Sequence, residues 1–104
     1  MGIDEQTITK ITASIKKLVN PKRVILFGSY AEGEADHDSD IDLLVVDDSG
    51  RDKNSVALEI SRALFPRSYG LDLFVESSSD LERKSGYGFW REILETGKVL
   101  YERE

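Results

Sequence analysis

Residues 23–46, RVILFGSYAEGEADHDSDIDLLVV, decide how this chain folds. The apolar runs 23–27 and 41–46 are short and rich in β-branched residues, which is typical of buried strands. Between them the chain begins with Gly28 and Ser29 and is strongly acidic, with no Lys or Arg. Run 41–46 is apolar almost throughout, so we expect both faces of this strand to be covered. The stretch therefore predicts a central strand entered from an acidic loop.

Regular patterns elsewhere predict alternating helices and strands. Helices are indicated by apolar residues at 3.6-residue spacing, and strands by short apolar runs. The predicted segments are a helix over 5–19 with Asp4 as its N-cap, a helix capped by Ser55 and closed by Pro66, a strand over 71–76, and a strand or extended tail over 98–102.

Two short helices are predicted between the last two strands. Ser79 and Glu82 fit a capping box, and nearby glycines limit that helix to about two turns. Trp90, Ile93 and Leu94 share one face of the next helix, which Gly97 ends. The alternation of strands and helices predicts a single α/β or α+β domain over 1–104.

Composition narrows the possible functions. The chain has 104 residues, about one domain, and lacks cysteine, which excludes disulfides and thiolate chemistry. Its net charge of −6 argues against a direct nucleic-acid partner, since phosphate backbones are bound by clustered Lys and Arg. No apolar run is long enough for a membrane span, and no basic-apolar leader is present, so we expect a cytoplasmic protein without a membrane partner.

The acidic density between residues 32 and 48 needs a physical explanation, because eight of the twenty acidic residues lie there. One interpretation is a solvated loop. In an extended chain, however, Asp40 and Asp42 point to the same side, about 6–7 Å apart. Two like charges beside an apolar strand raise each other's pKa unless a cation lies between them. A divalent cation is therefore the favoured explanation.

A calcium-binding EF-hand loop is the first metal site to test. The alternating acids that start at Asp36 resemble its ligand pattern, but the loop requires Gly at its sixth position and Glu at its twelfth. This sequence has Ile41 and Asp47 at those positions, and the flanking segments are strand-like. We therefore reject the EF-hand.

A magnesium site explains the Gly-Ser pair as well. Gly28 lets a phosphate approach the backbone, and Ser29 opens a short helix through Glu32 and offers a hydroxyl. Mg²⁺ prefers one or two carboxylates together with substrate phosphate oxygens, which Asp40 and Asp42 would satisfy. Asp72 adds a third acid if its strand is adjacent, and three such carboxylates suit a two-metal site. The alternative for Asp72 is a surface acid on an edge strand.

The pattern G-S-x(10)-D-x-D, formed by Gly28-Ser29 and Asp40-Ile41-Asp42, resembles a minimal nucleotidyltransferase domain of the DNA polymerase β-like superfamily. The ending ILETGKVLYE, 93–102, is also similar to that family. The resemblance implies a small mixed sheet with helices on one side, and nucleotidyl transfer from ATP with two Mg²⁺. It also implies that Gly28 and Ser29 hold the triphosphate, that Asp40 and Asp42 bind metal, and that Asp72 completes the metal site and activates the acceptor hydroxyl.

The same resemblance implies a partner. Such domains are commonly encoded beside a helical HEPN ribonuclease toxin, and some act as antitoxins by adding AMP to a toxin tyrosine. A length of 104 residues leaves no room for an added acceptor-holding domain, so we expect the acceptor to lie on another protein. Glu32 departs from the pattern, because many relatives have Arg or Lys there, and a carboxylate facing the site would repel a triphosphate.

Two other functions stay open at this point. One is a catalytically weak module that neutralises a toxin by occlusion, and the other is nucleotide transfer to a small molecule or an RNA end. His37 is interpreted as an exposed loop residue rather than a general base. Tyr87, Phe89 and Trp90 are interpreted as aromatics that pack on the sheet, with a base-stacking patch as the alternative and a partner surface favoured for any exposed member.

Overall fold

The computed structural model describes residues 5–33, 39–86 and 88–103. The chain alternates helices and strands, and four strands form one sheet in the order β3-β2-β1-β4. The elements are α1 (Glu5–Val19), β1 (Arg23–Phe27), α2 (Ser29–Glu32), β2 (Ile41–Val46), α3 (Lys53–Ala63), β3 (Leu71–Glu76), α4 (Ser78–Lys84), α5 (Gly88–Thr96) and β4 (Lys98–Glu102).

The sheet is mixed, which confirms the predicted α/β fold class. Strand β1 runs antiparallel to β2 and β4, whereas β2 and β3 are parallel. The parallel pair is joined through α3, as a parallel connection requires a crossover segment. The two central strands are β1 and β2. The segment 28–40 that links them therefore begins and ends at inner strands of the sheet rather than at its edges.

Helices lie on both faces of the sheet, so the expectation of helices on one side was wrong. Alternate β1 and β2 side chains pack against α1 and α3 on one face, where Ile15 and Ile60 are fully buried. The other face, which includes Ile25 and Leu44, packs against Leu81 of α4 and Ile93 of α5. The reason is the continuous apolar run in β2, whose two faces both require cover.

Two helices begin earlier than their predicted caps. Asp52 caps α3 by accepting a hydrogen bond from the backbone N–H of Ser55 at 3.0 Å, so Ser55 lies inside the first turn. Ser77, rather than Ser79, caps α4, because its hydroxyl accepts the N–H of Asp80. In each case a side chain three residues upstream of the donor satisfies the free N–H. The predicted N-cap of α1, Asp4, lies outside the described residues.

Charged side chains at the carboxyl ends of β2 and β3 bind the neighbouring helices α3 and α4. Glu76 is buried at the end of β3 and pairs with Lys53 at 3.1 Å and with Lys84 at 3.0 Å. Asp48 accepts hydrogen bonds from the backbone N–H and the hydroxyl of Ser78. These contacts attach α3 and α4 to the end of the sheet opposite Asp42.

Within the part of the chain described, no helix is long and apolar enough to cross a membrane.

Candidate active site

The fold brings Asp40, Asp42 and Asp72 together at one end of the sheet. Asp42 and Asp72 are direct partners in the parallel register of β2 and β3. Asp40 lies just before β2, where the backbone N–H of Ile41 donates to the carbonyl of Gly70 at 2.9 Å. This bond holds the entrance of β2 against the turn before β3. The three acids, which span residues 40–72, thus lie together at one end of the sheet.

Two glycines make room for these carboxylates. A Cβ atom at Gly28 would overlap the Oδ2 atom of Asp42, and a Cβ atom at Gly70 would overlap the Oδ1 atom of Asp40. Gly28 also has φ of +74°, a conformation that favours glycine. Each carboxylate therefore lies directly against a glycine backbone.

Burial and two neighbouring acids perturb the pKa of Asp42. Burial, a hydrogen bond to Asp72 and the negative charges of Asp72 and Asp40 together raise the pKa of Asp42 from 3.8 to about 6, with burial as the largest cause. Asp42 is partly buried, whereas Asp40 and Asp72 are exposed. The ionised form is disfavoured because burial removes water from this carboxylate and two other carboxylates lie beside it.

The carboxylates suit a metal that substrate oxygens help to bind. Within 5–33, 39–86 and 88–103, no three His, Cys, Asp or Glu side chains are arranged to hold a metal ion by themselves. The contact pair of Asp42 and Asp72, with Asp40 beside it, provides instead the one or two carboxylates that Mg²⁺ takes when phosphate oxygens complete its coordination. The donor set thus fits Mg²⁺ with a bound phosphate rather than an all-protein cage.

The predicted helical turn after Gly28 is confirmed. The carbonyl of Gly28 accepts the N–H groups of Ala31 and Glu32, both at 3.1 Å, and Gly33 ends the turn in the left-handed conformation. Ser29 is therefore the first residue of α2. Because Gly28 contacts Asp42, the start of this turn lies beside the acidic cluster, which is formed by Asp40, Asp42 and Asp72.

A cavity of about 260 Å³ opens beside Asp42. Its walls include Gly28, Glu32 and Asp42 on one side and Phe89, Glu92 and Thr96 of α5 on the other. Glu32 therefore lies near the acidic cluster. Sequence reasoning missed Glu92, although its spacing of three residues from Phe89 puts both side chains on one helix face.

The aromatic residues of α5 have two different environments. The ring of Trp90 is 6.1 Å from that of Phe74 and packs on the face of the sheet that α4 and α5 cover, as predicted for an aromatic that packs on the sheet. Phe89 is 49% exposed and faces the cavity, so packing accounts for only part of its surface. Tyr87 and His37 lie outside the described residues.

Comparisons with known proteins show what this chain is similar to. The family described as polymerase beta, nucleotidyltransferase matches residues 9–104. A Methanocaldococcus jannaschii protein, provisionally named as a protein adenylyltransferase, is 39% identical over 80 residues, which cover 77% of this chain and 78% of the relative.

Solved structures share the fold. A toxin–antitoxin crystallised with AMP-PNP matches 92% of this chain and 74% of its own, with a TM-score of 0.56 and 23% identity. A provisionally named nucleotidyltransferase from Sulfolobus solfataricus matches 99% of this chain and 93% of its own, with a TM-score of 0.58 and 19% identity. At such identities the likeness concerns the fold alone.

Proposed function

Because this chain belongs to the polymerase beta nucleotidyltransferase family, we propose that it transfers AMP from ATP to a tyrosine hydroxyl of a partner protein, with Mg²⁺ as cofactor. The observation that carries the proposal is the contact of Asp42 with Asp72 and with the backbone of Gly28. A protein acceptor is supported by the name of the 39% identical relative.

We propose a HEPN-type toxin as the partner, so that this chain acts as its antitoxin. Support comes from toxin–antitoxin structures among those that share the fold, one of them crystallised with AMP-PNP and one described as MntA-HpeT. The net charge of −6 also favours a protein over a nucleic acid as the acceptor.

Each residue of the candidate active site has a proposed role. Gly28 and Ser29 hold the triphosphate, because the glycine lets phosphate approach the backbone and the serine supplies a hydroxyl. Asp40 and Asp42 bind two Mg²⁺ ions, with Asp72 as the further carboxylate of the site. The bound metal would neutralise phosphate charge and stabilise the departing pyrophosphate.

Asp72 also prepares the acceptor. Its exposed carboxylate lies beside Asp42 and accepts the proton of the tyrosine hydroxyl. The tyrosine oxygen then forms a bond to the α-phosphorus in line with the bond that breaks, which joins the α-phosphorus to the bridging oxygen. Pyrophosphate leaves with the electron pair of that bond.

Replacement of Asp40 and Asp42 by Asn tests the proposal. The double variant should fold and should lose transfer of label from α-labelled ATP to the co-purified partner, and the partner should lose the added mass of one AMP group. Asp52→Asn is a matched control of the same chemistry at the α3 cap, away from the cluster. Transfer that persists in the double variant would show that the site is wrongly assigned.

A second candidate function is neutralisation by binding alone, which Glu32 favours. Its carboxylate lines the cavity next to Asp42, where it adds negative charge close to the proposed triphosphate. If binding alone suffices, the double Asn variant should neutralise the partner toxin as fully as the unmodified chain at equal stoichiometry. Neutralisation that disappears together with transfer would exclude this second function.

A further inference from the structure

Phe89 is held rigidly but only half covered. Its ring lies 5.2 Å from Trp90 and 6.2 Å from Phe27 in edge-to-face contacts, and 5.8 Å from Phe74 at an interplanar angle of 54°. Such edge-to-face contacts fix the orientation of a ring. Even so, 49% of Phe89 is exposed, and the ring forms part of the cavity wall beside Asp42. A fixed, partly exposed aromatic surface therefore lies next to the proposed reaction centre.

Beyond the edge formed by Gly28 and Asp42, the cavity does not suit the triphosphate. The carboxylates of Glu32 and Glu92 line it, and both would repel phosphate. A volume of about 260 Å³ can hold a purine ring but not a whole nucleoside triphosphate. Its wall is continuous with Gly28 and Asp42, so a nucleotide whose phosphates lie at that pair can place an uncharged, planar group here.

We infer that this cavity is the base site of the nucleotide, in which the base stacks on Phe89 and its exocyclic amino group donates a hydrogen bond to Glu92. The inference rests on the proposed function and adds to it a reason why the site selects adenine among the bases. Aromatic rings bind any base by stacking. Selectivity therefore has to come from a polar neighbour.

Glu92 is the neighbour with the appropriate position and chemistry. It lies three residues after Phe89 on α5, so both side chains occupy the same face of the helix and the same cavity. An ionised carboxylate only accepts hydrogen bonds. It therefore favours a base with an amino group at this position, such as adenine, and repels the carbonyl of a 6-oxopurine.

The stacking part is tested by calorimetric titration of the chain with ATP and with inorganic tripolyphosphate, both with Mg²⁺. The unmodified chain should bind ATP more tightly than tripolyphosphate. Phe89→Leu should weaken ATP binding by about tenfold and leave tripolyphosphate binding unchanged, because one stacked base is lost. Phe65→Leu is the matched control, since Phe65 follows α3, is 72% exposed and does not line the cavity.

The selectivity part is tested with ATP and inosine triphosphate, whose bases carry an amino group and a carbonyl at the same ring position. The unmodified chain should prefer ATP, and Glu92→Gln should remove most of the preference because an amide can accept or donate. Glu95→Gln is the control on the same helix, where Glu95 pairs with Arg91 at 3.1 Å instead of lining the cavity.

The outcomes separate this inference from the proposed function. If Phe89→Leu binds ATP normally but transfers AMP to the partner poorly, the cavity receives the acceptor and the base-site inference is overturned. Equal ATP and inosine triphosphate affinities in the unmodified chain would overturn the role of Glu92. If neither ATP nor tripolyphosphate binds the unmodified chain, the proposed nucleotidyl transfer itself fails.

Discussion

Asp42 and Asp72 occupy the same level of two parallel strands, and their carboxyl groups are in hydrogen-bonding contact. Neighbouring strands lie about 4.8 Å apart, so side chains at one level on one face cannot avoid each other. Two carboxylates in that position can share a proton or share a cation.

Asp42→Asn should stabilise the metal-free protein at pH 8, by about 1 kcal/mol after allowance for partial exposure. The pKa of Asp42 is about 6 in the folded protein against an ordinary value of 3.8, so the folded state binds the proton more tightly. The contribution of Asp42 to stability is therefore full below pH 3.8 and is lost as the pH rises through 6.

Urea denaturation in EDTA between pH 4 and pH 8 measures this effect. The difference between the Asn variant and the unmodified chain should grow as the pH rises through 6. Mg²⁺ at pH 8 should raise the melting temperature of the unmodified chain more than that of the variant. A variant that is less stable than the unmodified chain at pH 8 in EDTA would contradict the assigned charge repulsion.

Gly28→Ala should abolish AMP transfer, because the new methyl group would overlap Asp42 Oδ2 and displace this carboxylate. Gly33→Ala is a matched control. Gly28 and Gly33 have φ of +74° and +75°, but a Cβ at Gly33 meets nothing within 4 Å. Both variants should lose about 1 kcal/mol of stability from backbone strain. Equal residual transfer in the two variants would show that contact with Asp42 is unimportant.

Gly70→Ala should weaken Mg²⁺-dependent ATP binding, because the added methyl group overlaps Asp40 Oδ1. We expect a loss of about tenfold in affinity by titration calorimetry, similar to other changes that misplace metal ligands. Gly86→Ala provides the comparison, since its Cβ would enter open space. Unchanged affinity in Gly70→Ala would mean that Asp40 contributes little to metal binding.

Lys84→Met should destabilise the fold by about 1–2 kcal/mol, more than Lys53→Met. Both lysines pair with buried Glu76, but Lys84 is less exposed and its ammonium also lies 5.0 Å from the centre of the Trp90 ring. Each Met keeps the apolar stem and removes the charge. Chemical denaturation at pH 7 measures the two costs. A larger cost for Lys53→Met would contradict this ranking.

Several elements were predictable from sequence because their signals are local. The boundaries of α1, β1, β2 and β3 agree with the predicted ranges 5–19, 23–27, 41–46 and 71–76. Apolar periodicity over a few residues determines such elements. Helix starts were less predictable, since several Asp and Ser residues near each start can serve as the cap and only the folded backbone selects Asp52 and Ser77.

The sequence by itself determined which residue types the candidate site contains and how they are spaced. Gly28, Ser29 and the spacing of Asp40 and Asp42 are the basis of the proposed phosphate and metal site, because alternate residues of a strand share a face. No short pattern relates these residues to α5, and the link to Asp72 depends on which strands are neighbours.

Tertiary structure decided which groups surround that chemistry. The parallel register of β2 and β3 sets Asp72 beside Asp42, and Gly70 lets Asp40 approach. The packing of α5 on the second face of the sheet brings Phe89 and Glu92 to the cavity. These are contacts between segments distant in sequence, and they depend on how the apolar faces of β2 are covered rather than on any short pattern.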